Sequence, residues 1–296
     1  MSGRGKAKKT LAMVDAAIDI LSVIQPATVR AVCYQLFVRG VIGSMSKNET
    51  NGVSKQLVWA REQGLLPWEW IVDETREAER ISTWAKPDDI IKAAVNGYRR
   101  DYWQDQPEWV EVWSEKGTIR GTLAPVLDEY GVTLRVMHGY GSATSIYDIA
   151  SETRDSSKPL TILYVGDFDP SGLHMSEVDL PRRLDKYEGA ATIIRVALTS
   201  GDVGPDLPAF EAETKRADPR FRWFTERYGR QCWELDAMSP VTLRQRVKDW
   251  IAHHLDTELW NHATAIEKVE TESMQDFLQA WNSKSWQASK YPEVPR

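Results

Sequence analysis

The stretch Gly166-Asp167-Phe168-Asp169-Pro170-Ser171-Gly172 constrains this chain more than any other, because of what it follows. Residues 160–165, Leu-Thr-Ile-Leu-Tyr-Val, form a short run rich in β-branched and aromatic side chains, which reads as a buried strand. Pro170 and Gly172 stop that run and open a loop, so two carboxylates stand at the C-terminal edge of a strand. In an open α/β sheet ligands bind at that edge, and residues two apart in extended chain point to one side. Two like charges this close raise each other's pKa unless a cation neutralises them, which points to a hard-metal site for Mg²⁺ or Mn²⁺. The alternative is a plain strand-to-helix turn in which Asp169 or Ser171 caps the next helix.

A second stretch tips the balance. Residues 109–114, Trp-Val-Glu-Val-Trp-Ser, read as another buried strand, followed by Glu115-Lys116-Gly117. A strand-edge Glu ahead of a strand-edge Asp-x-Asp is the arrangement of the Toprim domain, which the chain resembles here. Residues 133–137 and 192–197 are two further strand candidates, and His138-Gly-Tyr-Gly-Ser142 is a turn with helix-start signals after it. Strands alternating with helices of this length predict βαβ units and a mostly parallel, Rossmann-like sheet. A long turn-rich loop over 198–208 and a further strand edge over 232–236, carrying Glu234 and Asp236, follow. These two carboxylates read as supporting groups rather than metal ligands. Ser239-Pro240 opens an amphipathic helix that reaches about residue 255.

Ahead of this lies a different pattern. Apolar residues at helical spacing over 11–23 predict a first helix, ended by Gln25-Pro26, and residues 27–38 a second, with Thr28 near its start. Residues 46–51 read as a polar loop, 53–63 as a third helix, and the stretch after Pro67 as a short strand. Three helices and then a β wing is the order of a winged-helix domain, whose third helix enters a DNA groove. On that helix Lys55 and Arg61 are the phosphate-contact candidates, with Lys116 a third at the sheet edge. The expected organisation is a basic tail (1–10), a winged-helix domain (11–74), a charged helical connector (75–106), a Toprim domain with a C-terminal extension (107–256), and a terminal helix and tail (257–296).

Charge supports a nucleic-acid partner only locally. The net charge is −6, yet residues 1–63 hold nine Lys/Arg against four Asp/Glu, leaving 28 against 39 for the remainder. The basic end is therefore the expected DNA-facing part. No apolar run is long enough to span a bilayer and the start lacks a signal-peptide core, so a cytoplasmic, nucleoid-associated protein with no membrane partner is expected. Cys33 and Cys232 stand apart without paired His spacing, which indicates neither a disulfide framework nor a zinc site. No phosphate-binding Gly-x-x-x-x-Gly-Lys is present.

The second N-terminal helix carries Arg30-Ala-Val-Cys-Tyr34, which sets a guanidinium and a phenol on one helical face. A free phenol titrates near ~10 and attacks poorly at neutral pH without a cation or a polarised phosphate. Arg-x-x-x-Tyr, a strand-edge Glu and Asp-x-Asp-Pro-x-Gly, in that order, resemble the A subunit of topoisomerase VI and its relative, the meiotic double-strand-break transesterase. Residues 197–199, Leu207-Pro208 and Glu234-Leu-Asp-Ala237 resemble recurrent segments of the same family. The likeness covers roughly residues 20–250. The chain is shorter than typical members, and Cys33 replaces the aromatic residue that often precedes the tyrosine. The resemblance implies a type IIB topoisomerase-like enzyme, with Tyr34 as the nucleophile on a DNA phosphate and Arg30 as its electrostatic partner. It further implies that Glu115, Asp167 and Asp169 hold Mg²⁺ (or Mn²⁺), with Glu115 as proton donor to the departing 3′ oxygen. Double-stranded DNA, a homodimer that pairs each tyrosine with its partner's metal, and a separate ATPase subunit are the implied partners. Two alternatives stand beside it. One is a Toprim nuclease of a defence or repair system that uses water, and the other a DNA-binding protein without catalysis.

Overall fold

The computed structural model describes residues 8–71, 82–137, 143–156, 158–205 and 207–283. The start of the basic tail, the stretch 72–81 that includes the end of the expected wing, the turn 138–142 and the tail beyond 283 lie outside the described residues. The chain divides into two compact units, each built from two separate segments: Met1–Glu77 with Pro107–His254, and Ala78–Gln106 with Leu255–Arg296.

In the larger unit the chain begins with α1 (Lys8–Ile24), α2 (Val29–Val38) and α3 (Lys47–Glu62). Their apolar faces bury Ile20, Leu21, Leu36 and Leu57 in one core. Thr28 caps α2, its hydroxyl accepting from the Ala31 amide at 3.2 Å. The third helix starts earlier than its apolar periodicity suggests: residues 47–51 are helical, not a loop. Glu49 in the first turn favours the positive helix end, and its carboxylate accepts from the Gly43 amide at 2.9 Å. The expected strand after Pro67 is instead a 3-10 turn (Trp68–Trp70) followed by a single parallel bridge between Ala27 and Ile71. Trp68 is exposed, so this Trp-rich stretch lacks the alternation that would commit it to a sheet face.

The sheet of the same unit comprises β1 (Trp109–Ser114), β2 (Thr133–Val136), β3 (Leu160–Val165) and β4 (Ala191–Ala197), all parallel, in the order β2-β1-β3-β4. The helices between them are α5 (Arg120–Tyr130), α6 (Ala143–Asp155), and the run α7 (Pro170–His174), a π-helical turn (Met175–Asp179) and α8 (Leu180–Lys186). All six residues of β3 are buried, which is why it reads as a continuous apolar run. From β1 the chain adds β2 on one side, then crosses to β3 and β4 on the other. The C-terminal ends of β1 and β3 therefore flank the switch point of the sheet, where a crevice opens in folds of this kind. Beyond the sheet, the two-residue strands β5 (Phe210–Glu211) and β6 (Gln231–Cys232) pair antiparallel around α9 (Phe221–Tyr228), and α10 (Pro240–His253) closes the unit. The strand edge expected over 232–236 is thus shorter, and Leu235–Ala237 forms a 3-10 turn.

In the smaller unit the charged segment, which the sequence marks as helical over 75–102 with a helix start at Pro87-Asp-Asp, is helical in α4 (Pro87–Gly97) among its described residues. Pro87 lacks an amide hydrogen and starts this helix rather than continuing one. It packs with α11 (Thr257–Ser283), where Tyr98 donates to Glu270 at 2.6 Å, Arg100 pairs with Glu270 at 3.0 Å and the Trp281 indole donates to Asp88 at 2.8 Å. Among the described residues no helix is long and apolar enough to cross a membrane.

Candidate functional site at the sheet switch point

Glu115 leaves β1 and Asp167 leaves β3 on adjacent strands at the switch point. The Asp-x-Asp turn is held from several sides. Asp169 is the N-cap of α7, its Oδ1 accepting from the Gly172 amide at 2.7 Å, with Pro170 at the favoured first position. The capping alternative is thus realised, and it occupies only one of the two carboxylate oxygens. Gly172 is needed for closeness: a Cβ there would run into the backbone oxygen of Asp167. Phe168, between the two carboxylates, exchanges two backbone hydrogen bonds with Trp233 at 2.9 and 3.0 Å. Its ring meets Trp233, Phe224 and Tyr228 edge-on. This bridge brings the next residues of the chain to the site, and the Leu235 amide donates to Asp167 Oδ1 at 2.7 Å.

Arg195 on β4 was not singled out from the sequence, and it binds the turn from beneath. Its guanidinium donates to the carbonyls of Gly166 and Gly172 at 3.0 Å, Leu198 at 2.6 Å and Asp167, and to the Ser176 hydroxyl at 2.6 Å. These acceptors are all neutral, so among the described residues the Arg195 guanidinium has no carboxylate hydrogen-bond partner.

Two lysines neutralise the aspartates. Lys116 lies 2.7 Å from Asp167 Oδ1, 2.8 Å from Asp236 Oδ2 and 3.7 Å from Glu234 Oε2, with its side chain mostly buried. Burial works against its charge, but Asp236 and Asp167 outweigh that and hold the ammonium above its ordinary pKa. Lys116, a sequence candidate for a phosphate contact, stands here among the carboxylates of Asp167, Glu234 and Asp236. Lys215, in a 3-10 turn (Ala212–Lys215), lies 3.0 Å from Asp169 Oδ2. Burial first, then the charges of Asp167 and Asp169, push the Glu115 carboxyl up to about 7. Asp167 is raised as well, again by burial first.

The helical part of the unit reaches the same place. Arg30 on α2 pairs with Glu234 at 2.5 Å and with Asp236 at 3.4 Å, and its guanidinium stands 5.5 Å from the Tyr34 ring centre. Tyr34 is only 6% exposed, with Glu234 as its side-chain hydrogen-bond partner. Burial, then that contact and the charges of Glu234 and Asp236, hold the phenol well above its ordinary pKa, with Arg30 pulling the other way. Arg30, Tyr34, Glu234, Asp236, Lys116 and Asp167 therefore form one connected polar cluster within a single chain. The remaining DNA-contact candidates lie elsewhere. Lys55 is exposed on α3, while Arg61 stacks on Trp68 at 4.6 Å with its Nε buried and lacking a hydrogen-bond partner. Cys33 and Cys232 are buried and unbonded.

The donor chemistry of Glu115, Asp167 and Asp169 suits a hard divalent cation, since every donor is a carboxylate oxygen and the charges of Asp167 and Asp169 add to burial in raising the Glu115 carboxyl. In the present arrangement ammonium groups stand in that role. Among the described residues no three His, Cys, Asp or Glu side chains are set to hold a metal ion. Compared with known proteins, the chain matches no family model and no curated sequence.

Proposed function

We propose that this chain cleaves a DNA strand by transesterification through Tyr34, as a topoisomerase VI A-like enzyme with a winged-helix and a Toprim part. The observation that carries the reading is the run of ion pairs from Arg30 to Glu234 (2.5 Å), Glu234 to Lys116 (3.7 Å) and Lys116 to Asp167 (2.7 Å). It joins the Arg-x-x-x-Tyr face of α2 to the Asp-x-Asp edge of the sheet. The Tyr34 oxygen attacks phosphorus, the bond from phosphorus to the 3′ oxygen breaks, and the phenol's proton leaves to water, with Glu234 orienting the hydroxyl through its hydrogen bond. Glu115, whose carboxyl is pushed up to about 7 by burial and by the charges of Asp167 and Asp169, would give the departing 3′ oxygen its proton. Asp167 and Asp169, joined by Glu115 once it has given up its proton, would hold Mg²⁺ or Mn²⁺, which would supply charge stabilisation around the reacting phosphate. Arg30 and Lys116 keep the carboxylates beside Tyr34 neutralised, so that a phosphate can approach them.

The burial of Tyr34 favours a second reading. Where the phenol stays covered, water takes its place as nucleophile and the enzyme is a metal-dependent nuclease. Incubation with Mg²⁺ and supercoiled DNA, followed by denaturation, separates the two. Protein attached to 5′ ends, lost in Tyr34→Phe, supports the transesterase, whereas free 5′-phosphates at the parent rate in Tyr34→Phe support the nuclease.

A further inference from the structure

The two lysines of the site are unequal. Lys116 has a side chain 18% exposed and touches three carboxylates, so moving it strips Asp167 of its ion pair and leaves Asp236 to Arg30 at 3.4 Å, in a nearly water-free place. Lys215 has a side chain 41% exposed, and Asp169 is its ion-pair partner among the described residues. Its flexible four-carbon stem leaves a short 3-10 turn and reaches solvent without crossing the core.

Asp169 narrows the matter further. Its Oδ1 is committed to the Gly172 amide, which fixes the start of α7. Its Oδ2 is the oxygen that remains for a cation, and Lys215 holds it at 3.0 Å. A metal ion and the Lys215 ammonium are therefore alternative partners for one atom. Both carry positive charge, so they exclude each other by repulsion as well as by space.

We propose that Lys215 is an exchangeable counter-ion: it neutralises Asp169 while the site lacks a divalent cation, and swings into solvent when Mg²⁺ or Mn²⁺ binds, whereas Lys116 stays in place. This rests on the metal reading of the preceding section and adds how the site is kept neutral before loading.

The test uses the full chain and Mn²⁺ alone, with amine acetylation read by peptide mass spectrometry and binding read by the electron spin resonance of free Mn²⁺. Lys215 is expected to acetylate several-fold faster at saturating Mn²⁺, with Lys116 protected throughout. Asp169→Asn should label Lys215 fast with or without the ion. Lys215→Met should bind Mn²⁺ roughly two- to fivefold tighter, the size of a half-exposed ion pair, while Lys215→Arg and Arg216→Met stay near the parent. Mn²⁺ binding with no change in Lys215 labelling overturns the exchange and leaves the metal reading intact. So does an equal gain in Arg216→Met, which makes the effect one of general charge. Absence of Mn²⁺ binding in every variant, Lys215→Met included, overturns both.

Discussion

The Lys116 ammonium lies 2.7 Å from Asp167 Oδ1, tying the residue that follows the Glu at the end of β1 to the first carboxylate beyond β3. With Asp236 at 2.8 Å on its other side, this lysine is the ion-pair partner of Asp167 and shares Asp236 with Arg30, and both carboxylates are nearly buried. Removing one partner of such a group strands the others. Lys116→Met is expected to lower unfolding stability by about 3–5 kcal/mol, measured by denaturant titration. A loss below about 1 kcal/mol, the scale of a surface pair, would contradict the counter-ion role.

Gly172 is predicted to tolerate no side chain. Gly172→Ala sets a methyl against the Asp167 carbonyl, and the turn must yield at a point where Arg195 and the Asp169 cap also grip it. A stability loss of about 1–3 kcal/mol is expected, together with loss of any cleavage. An alanine variant that melts and cleaves like the parent would show that the turn is looser than this packing indicates.

Asp167→Asn and Asp169→Asn should abolish cleavage while DNA binding in low salt stays unchanged or rises slightly. Removing a negative charge reduces repulsion of phosphates, and the basic end supplies the attraction. Filter binding and a plasmid-nicking assay on the same preparations check both halves. Cleavage at the parent rate in both variants would sink the metal assignment.

Glu115 makes stability depend on pH in a direction opposite to that of an ordinary paired carboxylate. Its folded pKa, about 7, lies above the ordinary 4.5, so the folded chain binds more protons in between, and stability falls as pH rises from about 4.5 to about 7. Glu115→Gln cannot ionise and should remove part of this slope, melting higher than the parent at pH 8 in EDTA and no higher at pH 4. Parallel melting curves for the two proteins across that window would refute the assignment.

Lys55 and Arg61 should behave differently despite sharing a helix. Lys55→Ala is expected to weaken DNA binding on all sequences alike and to lower the salt slope by about 1. Arg61 covers Trp68, so Arg61→Ala should also cost about 0.5–1 kcal/mol of stability from the lost cation–π contact. Equal effects of the two on melting and on salt slope would contradict this division.

The sequence made β3 legible because burial on both faces wrote a continuous apolar run, β1 through its aromatic and β-branched residues around Glu111, and the loop chemistry of Asp169-Pro170-Ser171-Gly172 pointed to the helix start. It also singled out Glu115, Asp167 and Asp169, which do gather at one sheet edge. What stayed hidden was set by distance along the chain. Nothing local ties Lys116 to Asp236, Arg30 to Glu234 or Lys215 to Asp169, since a lysine or arginine destined for an internal ion pair reads like a solvated one. Arg195 sits in a strand whose alternation gave no hint that its acceptors would be five neutral oxygens around the Asp-x-Asp turn. The early start of α3 escaped because Lys47, Asn48, Glu49 and Thr50 carry no apolar period, and the helix there is shaped by end chemistry instead.

Each compact unit is made of two segments that interleave, 1–77 with 107–254 and 78–106 with 255–296, and this sets an order on biosynthesis. As the chain leaves the ribosome, α1 to α3 can pack first, but the acidic edge they meet is complete only once residues beyond Asp236 have emerged. The helix α4 waits longer, because Glu267, Glu270 and Trp281, which engage the 86–100 stretch, come from α11. A message cut short near codon 254 would thus yield a chain with a finished sheet and an orphaned α4, whose uncovered apolar side offers quality-control proteases a handle.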